Sequence, residues 1–148
     1  PILLSEIDLA WRAKQELCPN QRWIGLTGTN GKTTAVQMAE AIALSANIKS
    51  QACGNVGTTV IEAVSAAEAD LLILELSSFQ LDWSEEFQLE SAAILNIAAD
   101  HIDWHGSFDA YASAKFRIAS RTKKLILNAS DSEITKRALH VAVPITYF

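Results

Sequence analysis

The sequence predicts an α/β fold in which a mainly parallel sheet is flanked by helices. Three observations carry that prediction. Apolar runs of strand length alternate with segments of helical period along most of the 148 residues. The run Leu71-Leu72-Ile73-Leu74 and the run over residues 92–97 are continuous rather than alternating, as in strands buried on both faces. Between the first strand and its helix stands the glycine loop Gly28-Thr29-Asn30-Gly31-Lys32-Thr33-Thr34.

The elements follow in order. Ser5 caps a short helix through Trp11 and Leu17, ended by Pro19-Asn20. Residues 1–20 are read as a linker and helix leading from an upstream domain, and 21–148 as part of a nucleotide-binding domain. Residues 22–27 form the first strand. Residues 32–46 form its helix, with Ala35, Met38, Ala39, Ile42 and Ala46 at helical spacing. Residues 48–52 are a weaker strand, and Gly54-Asn55-Val56-Gly57 a tight turn. Thr58 or Thr59 opens a helix to about residue 67. After the strand at 71–74 come Glu75-Leu76-Ser77-Ser78, and after the strand at 92–97 the polar stretch Asp100-His101-Ile102-Asp103-Trp104-His105. Residues 108–120 form a helix capped by Ser107, with Phe108, Tyr111, Ala112, Lys115 and Ile118 near one face. A strand at 124–128, a helix at 130–139 and the start of a strand at 141–148 complete the alternation.

In such sheets ligands bind at the carboxyl ends of the strands. Four polar clusters fall there: the loop at 28–34, the turn at 54–57, Glu75 with Ser77, and His101 with Asp103. The loop has the chemistry of a P-loop-type phosphate site. Its glycines let backbone N–H groups converge, the following helix aims its positive end at the same point, Lys32 adds a point charge, and the Thr33 hydroxyl is a Mg²⁺ ligand. Its spacing departs from the common P-loop, because Leu26 stands where the leading glycine is usual. Glu75, closing an apolar strand, is placed to hold Mg²⁺. His101 is open to metal ligation or acid–base work, with His105 a weaker candidate. His140 reads as structural. Lys115, in an apolar helix, reads from spacing alone as a snorkelling surface residue. Trp23, Trp83 and Phe87 read as packing residues.

Composition bounds the function. The chain is 49% hydrophobic and 20% charged, an ordinary globular mixture. Net charge is -5 with no long basic run, which argues against a nucleic-acid partner. No run is long enough to span a membrane, and no signal peptide is seen. Cys18 and Cys53 stand in no metal-like spacing and read as reduced thiols of a cytoplasmic protein. The opening Pro1-Ile2-Leu3-Leu4, without Met, is expected of a piece excised from a longer chain.

The string Thr27-Gly28-Thr29-Asn30-Gly31-Lys32-Thr33-Thr34, departure included, resembles the ATP loop of the Mur ligases and folylpolyglutamate synthases. Leu74-Glu75-Leu76-Ser77-Ser78-Phe79-Gln80-Leu81 resembles the D-glutamate-adding branch of that family. Asn96-Ile97 through Asp103, and Tyr111 through Ile118, continue the match. The resemblance implies the larger part of a central ATPase domain in a three-domain ligase that uses ATP and Mg²⁺. Such a ligase joins D-glutamate to UDP-N-acetylmuramoyl-L-alanine in peptidoglycan precursor synthesis. It implies that Lys32 and the loop amides of Gly28, Thr29, Asn30, Gly31, Thr33 and Thr34 hold the phosphates. Thr33 with Glu75 would bind a first Mg²⁺, and His101 a second. Lys115 would be carbamylated by CO₂ to support that second metal. Asn55 and Ser77 would lie near the muramoyl substrate. A sister ligase, a folylpolyglutamate synthase or a nucleotide-binding module without catalysis are the alternatives.

Overall fold

A computed structural model describes residues 4–148, so residues 1–3 of the leading segment lie outside the described residues. The elements are α1 (Glu6–Leu17), β1 (Arg22–Thr27), α2 (Lys32–Ser45), β2 (Ser50–Gly54), α3 (Val60–Ala66), β3 (Leu71–Glu75), α4 (Ser78–Trp83), β4 (Ser91–Ile94), α5 (Ile102–His105), α6 (Phe108–Phe116), a 3₁₀ turn (Arg117–Arg121), β5 (Leu125–Leu127), α7 (Ser132–Ala138) and β6 (Ile145–Tyr147). The strands form one sheet in the order β2-β3-β1-β4-β5-β6, and every pairing is parallel. All carboxyl ends therefore lie along one edge, and β1 runs through the middle between β3 and β4.

Local chemistry explains most helix starts. Side chains of Ser5, Thr59, Ser107 and Asp131 each accept a backbone N–H in the first turn of the helix they precede. Each such cap contributes about 1 kcal/mol. The main core lies on one face of the sheet. It joins Ile7 and Ala10 of α1 to Trp23, Leu72, Leu74, Leu81, Phe87, Tyr111, Ile118 and Leu127. On the other face Leu26, Val36, Ile73 and Ala93 form a smaller cluster under α2.

Several boundaries and faces differ from expectation. The second strand starts at Ser50 rather than 48, because Asn47 turns at φ 60° and the Ile48 N–H closes back onto the Ala43 carbonyl. The Met38 and Ile42 side chains of α2 face solvent. The buried positions are Val36 and Ala43, seven residues apart and so on one stripe of the helix. α4 is an addition to the helices expected from the sequence. Its signal is the capping box Ser77-x-x-Gln80, in which Ser77 Oγ accepts the Gln80 N–H and Gln80 Oε1 accepts the Ser77 N–H. Trp83 is exposed, because α4 turns Leu81 inward and two residues later presents Trp83 outward; Trp23 and Phe87 are buried as expected. His140 is also exposed, and only its backbone N–H, on the Arg137 carbonyl, serves the fold. The helix expected over 108–120 ends at Phe116 and tightens into the 3₁₀ turn.

Candidate phosphate-binding and catalytic site

All four polar clusters meet at the carboxyl edge around one cavity of about 260 Å³. Lys32, Asn55, Ser77, His101 and Lys115 line it, together with Phe79, Asp100 and Tyr111. The loop at 28–31 leaves the middle strand, and Gly31, at φ 78°, turns the chain into α2. Lys32 Nζ folds back to donate to the Gly28 and Thr29 carbonyls, both at 3.0 Å.

Glu75 is buried at the end of β3. Its Oε2 accepts the Thr33 hydroxyl at 2.8 Å and its Oε1 the Asn55 amide at 3.2 Å. One carboxylate thus ties the start of α2 to the turn after β2. Gly54 makes room for it. At φ 116°, a Cβ on Gly54 would stand 2.4 Å from the Glu75 carbonyl oxygen.

Lys115 overturns the reading from spacing. It is 2% exposed and does not snorkel. Its Nζ donates to the Gly28 carbonyl at 2.9 Å and lies 4.7 Å from the centre of the Tyr111 ring. Lys32 and Lys115 therefore donate to the same oxygen, which places their nitrogens within about 6 Å of each other. Burial, and next the charge of Lys32, push the Lys115 amine down to about 8. Burial also raises the Tyr111 phenol.

His101 is exposed, sits at φ 49° as the residue before α5, and has Nε2 3.4 Å from Asp100 Oδ2. His105 lies deeper. Its Nε2 is 3.0 Å from Ser78 Oγ, and its ring stacks on Phe79. Ser77 and Asn55 both reach the cavity, although the Ser77 hydroxyl is engaged by Gln80.

Two residues absent from the candidate set shape the loop. Asn96 bonds the backbone of Asn30, and Tyr111 OH lies 3.0 Å from the Thr29 hydroxyl. An asparagine just beyond an apolar strand was the available signal for the first.

Among the described residues no group of three or more His, Cys, Asp or Glu is placed to hold a metal alone. The Thr33 hydroxyl and Glu75 carboxylate are hard oxygen donors. They fit Mg²⁺, which commonly keeps water and phosphate as its other ligands. A larger cavity of about 560 Å³ opens beside Phe116, His140 and Val141, away from these groups. Its arginines are already paired, Arg117 with Asp82 and Arg137 with Glu133. The candidate site residues line the smaller cavity. Cys18 and Cys53 are free thiols, and burial pushes Cys53 up to about 12. Among the described residues no helix is long and apolar enough to cross a membrane.

The comparisons with known proteins agree with this geometry. A UDP-N-acetylmuramoylalanine–D-glutamate ligase of Thermobifida fusca is 43% identical over 139 residues, which cover 92% of this chain and 29% of that protein. The protein of the same name from Streptomyces coelicolor is 46% identical over 118 residues, covering 76% and 24%. The chain thus spans less than a third of the length of these relatives. Among solved structures, a UDP-N-acetylmuramoyl-L-alanyl-D-glutamate–2,6-diaminopimelate ligase superposes with a TM-score of 0.75 at 23% identity, over 95% of this chain and 36% of that one. MurF ligase from Thermotoga maritima in complex with ADP gives 0.75 at 18%, over 100% and 38%. At those identities the solved structures establish the fold. The model of the Mur ligase middle domain matches residues 26–148, and the chain belongs to that family.

Proposed function

We propose that this chain binds Mg-ATP on the loop at 28–34, as the nucleotide-binding part of a cytoplasmic ligase that joins D-glutamate to UDP-N-acetylmuramoyl-L-alanine. The observation that carries the reading is the convergence of Lys32, Lys115 and the Thr33–Glu75 pair on one loop at the carboxyl edge. The relatives' names supply the substrates. The uridine nucleotide and the incoming amino acid are held by upstream and downstream domains of the full-length protein.

A carboxylate oxygen is a very poor leaving group, so an amine does not displace it in water. Transfer of the γ-phosphoryl group of ATP to the alanyl carboxylate forms an acyl phosphate. The amine of D-glutamate attacks that carbonyl carbon, the C–O bond to phosphate breaks, and the amine proton is lost. Each step gathers negative charge on oxygens in the cavity, so catalysis is mainly positioning and charge neutralisation. Lys32 exchanges its carbonyl acceptors for phosphate oxygens. Glu75 orients the Thr33 hydroxyl and the Asn55 amide. Mg²⁺ held by Thr33 and Glu75 would supply further neutralising charge, and His101 with carbamylated Lys115 would hold a second ion. Lys115 suits carbamylation. With its amine near 8, about a tenth is neutral at pH 7, and only the neutral amine attacks CO₂.

The deciding experiment is phosphate release by the full-length protein with Mg-ATP, UDP-N-acetylmuramoyl-L-alanine and a panel of amino acids. Release that requires D-glutamate supports the reading; release with another acceptor moves the protein to a sister ligase. No release with any acceptor removes the ligase reading. In the same assay Lys32→Ala is expected to lower turnover by about 10²-fold or more, and unchanged kinetics would sink the loop assignment. Glu75→Gln is expected to raise the Mg²⁺ concentration for half-maximal rate about tenfold. An unaltered Mg²⁺ titration would remove Glu75 from the metal site.

A further inference from the structure

We infer that Asn96 is the positioning residue that orients the phosphate loop, through a two-point amide clamp on Asn30; the inference rests on the phosphate-binding reading above. Asn96 Oδ1 accepts the Asn30 N–H at 2.9 Å, and Asn96 Nδ2 donates to the Asn30 carbonyl at 3.0 Å. One side-chain amide thereby satisfies both backbone groups of one loop residue, as a neighbouring strand would. The pairing extends along the chain. The Thr29 N–H donates to the Asn96 carbonyl at 3.0 Å, and the Ala98 N–H to the Thr29 hydroxyl at 2.9 Å. Gly28 allows the close approach, since a Cβ there would stand 3.1 Å from the Leu95 Cβ. Residues 96–98 thus run beside the loop beyond the end of β4.

The consequence lies in peptide geometry. The C=O and N–H of one planar trans peptide point in opposite directions. Holding the Asn30 carbonyl toward Asn96 therefore turns the Gly31 N–H away from Asn96, into the concavity that α2 opens on. Without the clamp this peptide is free to flip, because Gly31 tolerates either sign of φ. A flipped peptide would aim a carbonyl oxygen at the phosphates. The Thr29 and Asn30 N–H groups are consumed by residue 96. The amides of residues 31–34, ahead of the first helical bond from the Ala35 N–H to the Gly31 carbonyl, remain for phosphate.

The test uses the full-length protein, an ATP analogue and hydrogen exchange over residues 28–34. Asn96→Ala is expected to weaken analogue binding about tenfold and to speed exchange at the Asn30 amide by a similar factor. Asn128→Ala is the control. Its amide donates to the Leu95 carbonyl, one residue away, without touching the loop. It is expected to lower the melting temperature and leave both readouts unchanged. Asn96→Asp, the isosteric variant, keeps the acceptor and loses the donor. Asn30 exchange should stay slow while analogue binding still weakens. Unchanged binding in both Asn96 variants, or an unchanged Asn30 exchange rate in Asn96→Ala, would overturn the clamp. If the wild-type protein bound no analogue, the nucleotide reading would fall, and the exchange arm would still decide the clamp.

Discussion

Lys115→Ala is expected to lower ligase turnover by about 10³-fold or more, with partial rescue by short carboxylic acids. The size follows from position. The amine is buried, shares the Gly28 carbonyl with Lys32, and lies on the wall of the candidate cavity. Rescue is expected because a small carboxylate restores the anion that a carbamate would supply. Full activity without rescue would remove Lys115 from the metal site. The same residue gives a pH signature in CO₂-free buffer. Its amine titrates near 8 in the folded chain and near 10.5 when unfolded. Below pH 8 both states are protonated, and the folded state carries a buried cation. Between pH 8 and 10.5 the unfolded state binds more protons, so stability rises with pH. Cys53 works the other way. It holds its proton to about 12 when folded and only to about 9 when unfolded, which lowers stability above pH 9. The window from pH 8 to 9 isolates the lysine. Across it the wild type should gain about 1 kcal/mol relative to Lys115→Met in urea unfolding. A constant difference would show that the amine is not desolvated.

Gly54→Ala is expected to cost about 3 kcal/mol or more of stability and to weaken Mg-ATP binding with it. Two effects add. The residue adopts φ 116°, which an L side chain resists, and the new Cβ would press on the Glu75 carbonyl at 2.4 Å. Gly54 pairs with Glu75 in the β2–β3 register, so the strain falls on the acid that holds Thr33 and Asn55. Gly57→Ala is the comparison. It also has positive φ, but a Cβ there meets nothing within 4 Å, so it should cost about 1 kcal/mol and leave Mg-ATP binding intact. Equal effects at both positions, by unfolding and calorimetric titration, would remove the steric argument.

With α4 and α5 excepted, the α/β class, the alternation of strands with helices, and the candidate loop and acid were legible in the residues alone. These are readable because they are local. A continuous apolar run, a cap or a glycine loop acts over a few residues, and its physics does not wait for the rest of the chain. Glu75 was legible as an acid at a strand end, and Lys32 as a lysine entering a helix. The tertiary structure decided what depends on distance between segments. Lys115 reads as a surface lysine on its own helix, and only the packing of α6 against the loop, 87 residues away in sequence, buries its amine on the Gly28 carbonyl. Asn96 has no signature beyond its strand end, because its partner is the backbone of Asn30, 66 residues earlier. Trp83 and Met38 went outward for the same reason. Helical spacing shows that a face exists, but which face is buried depends on where the sheet lies.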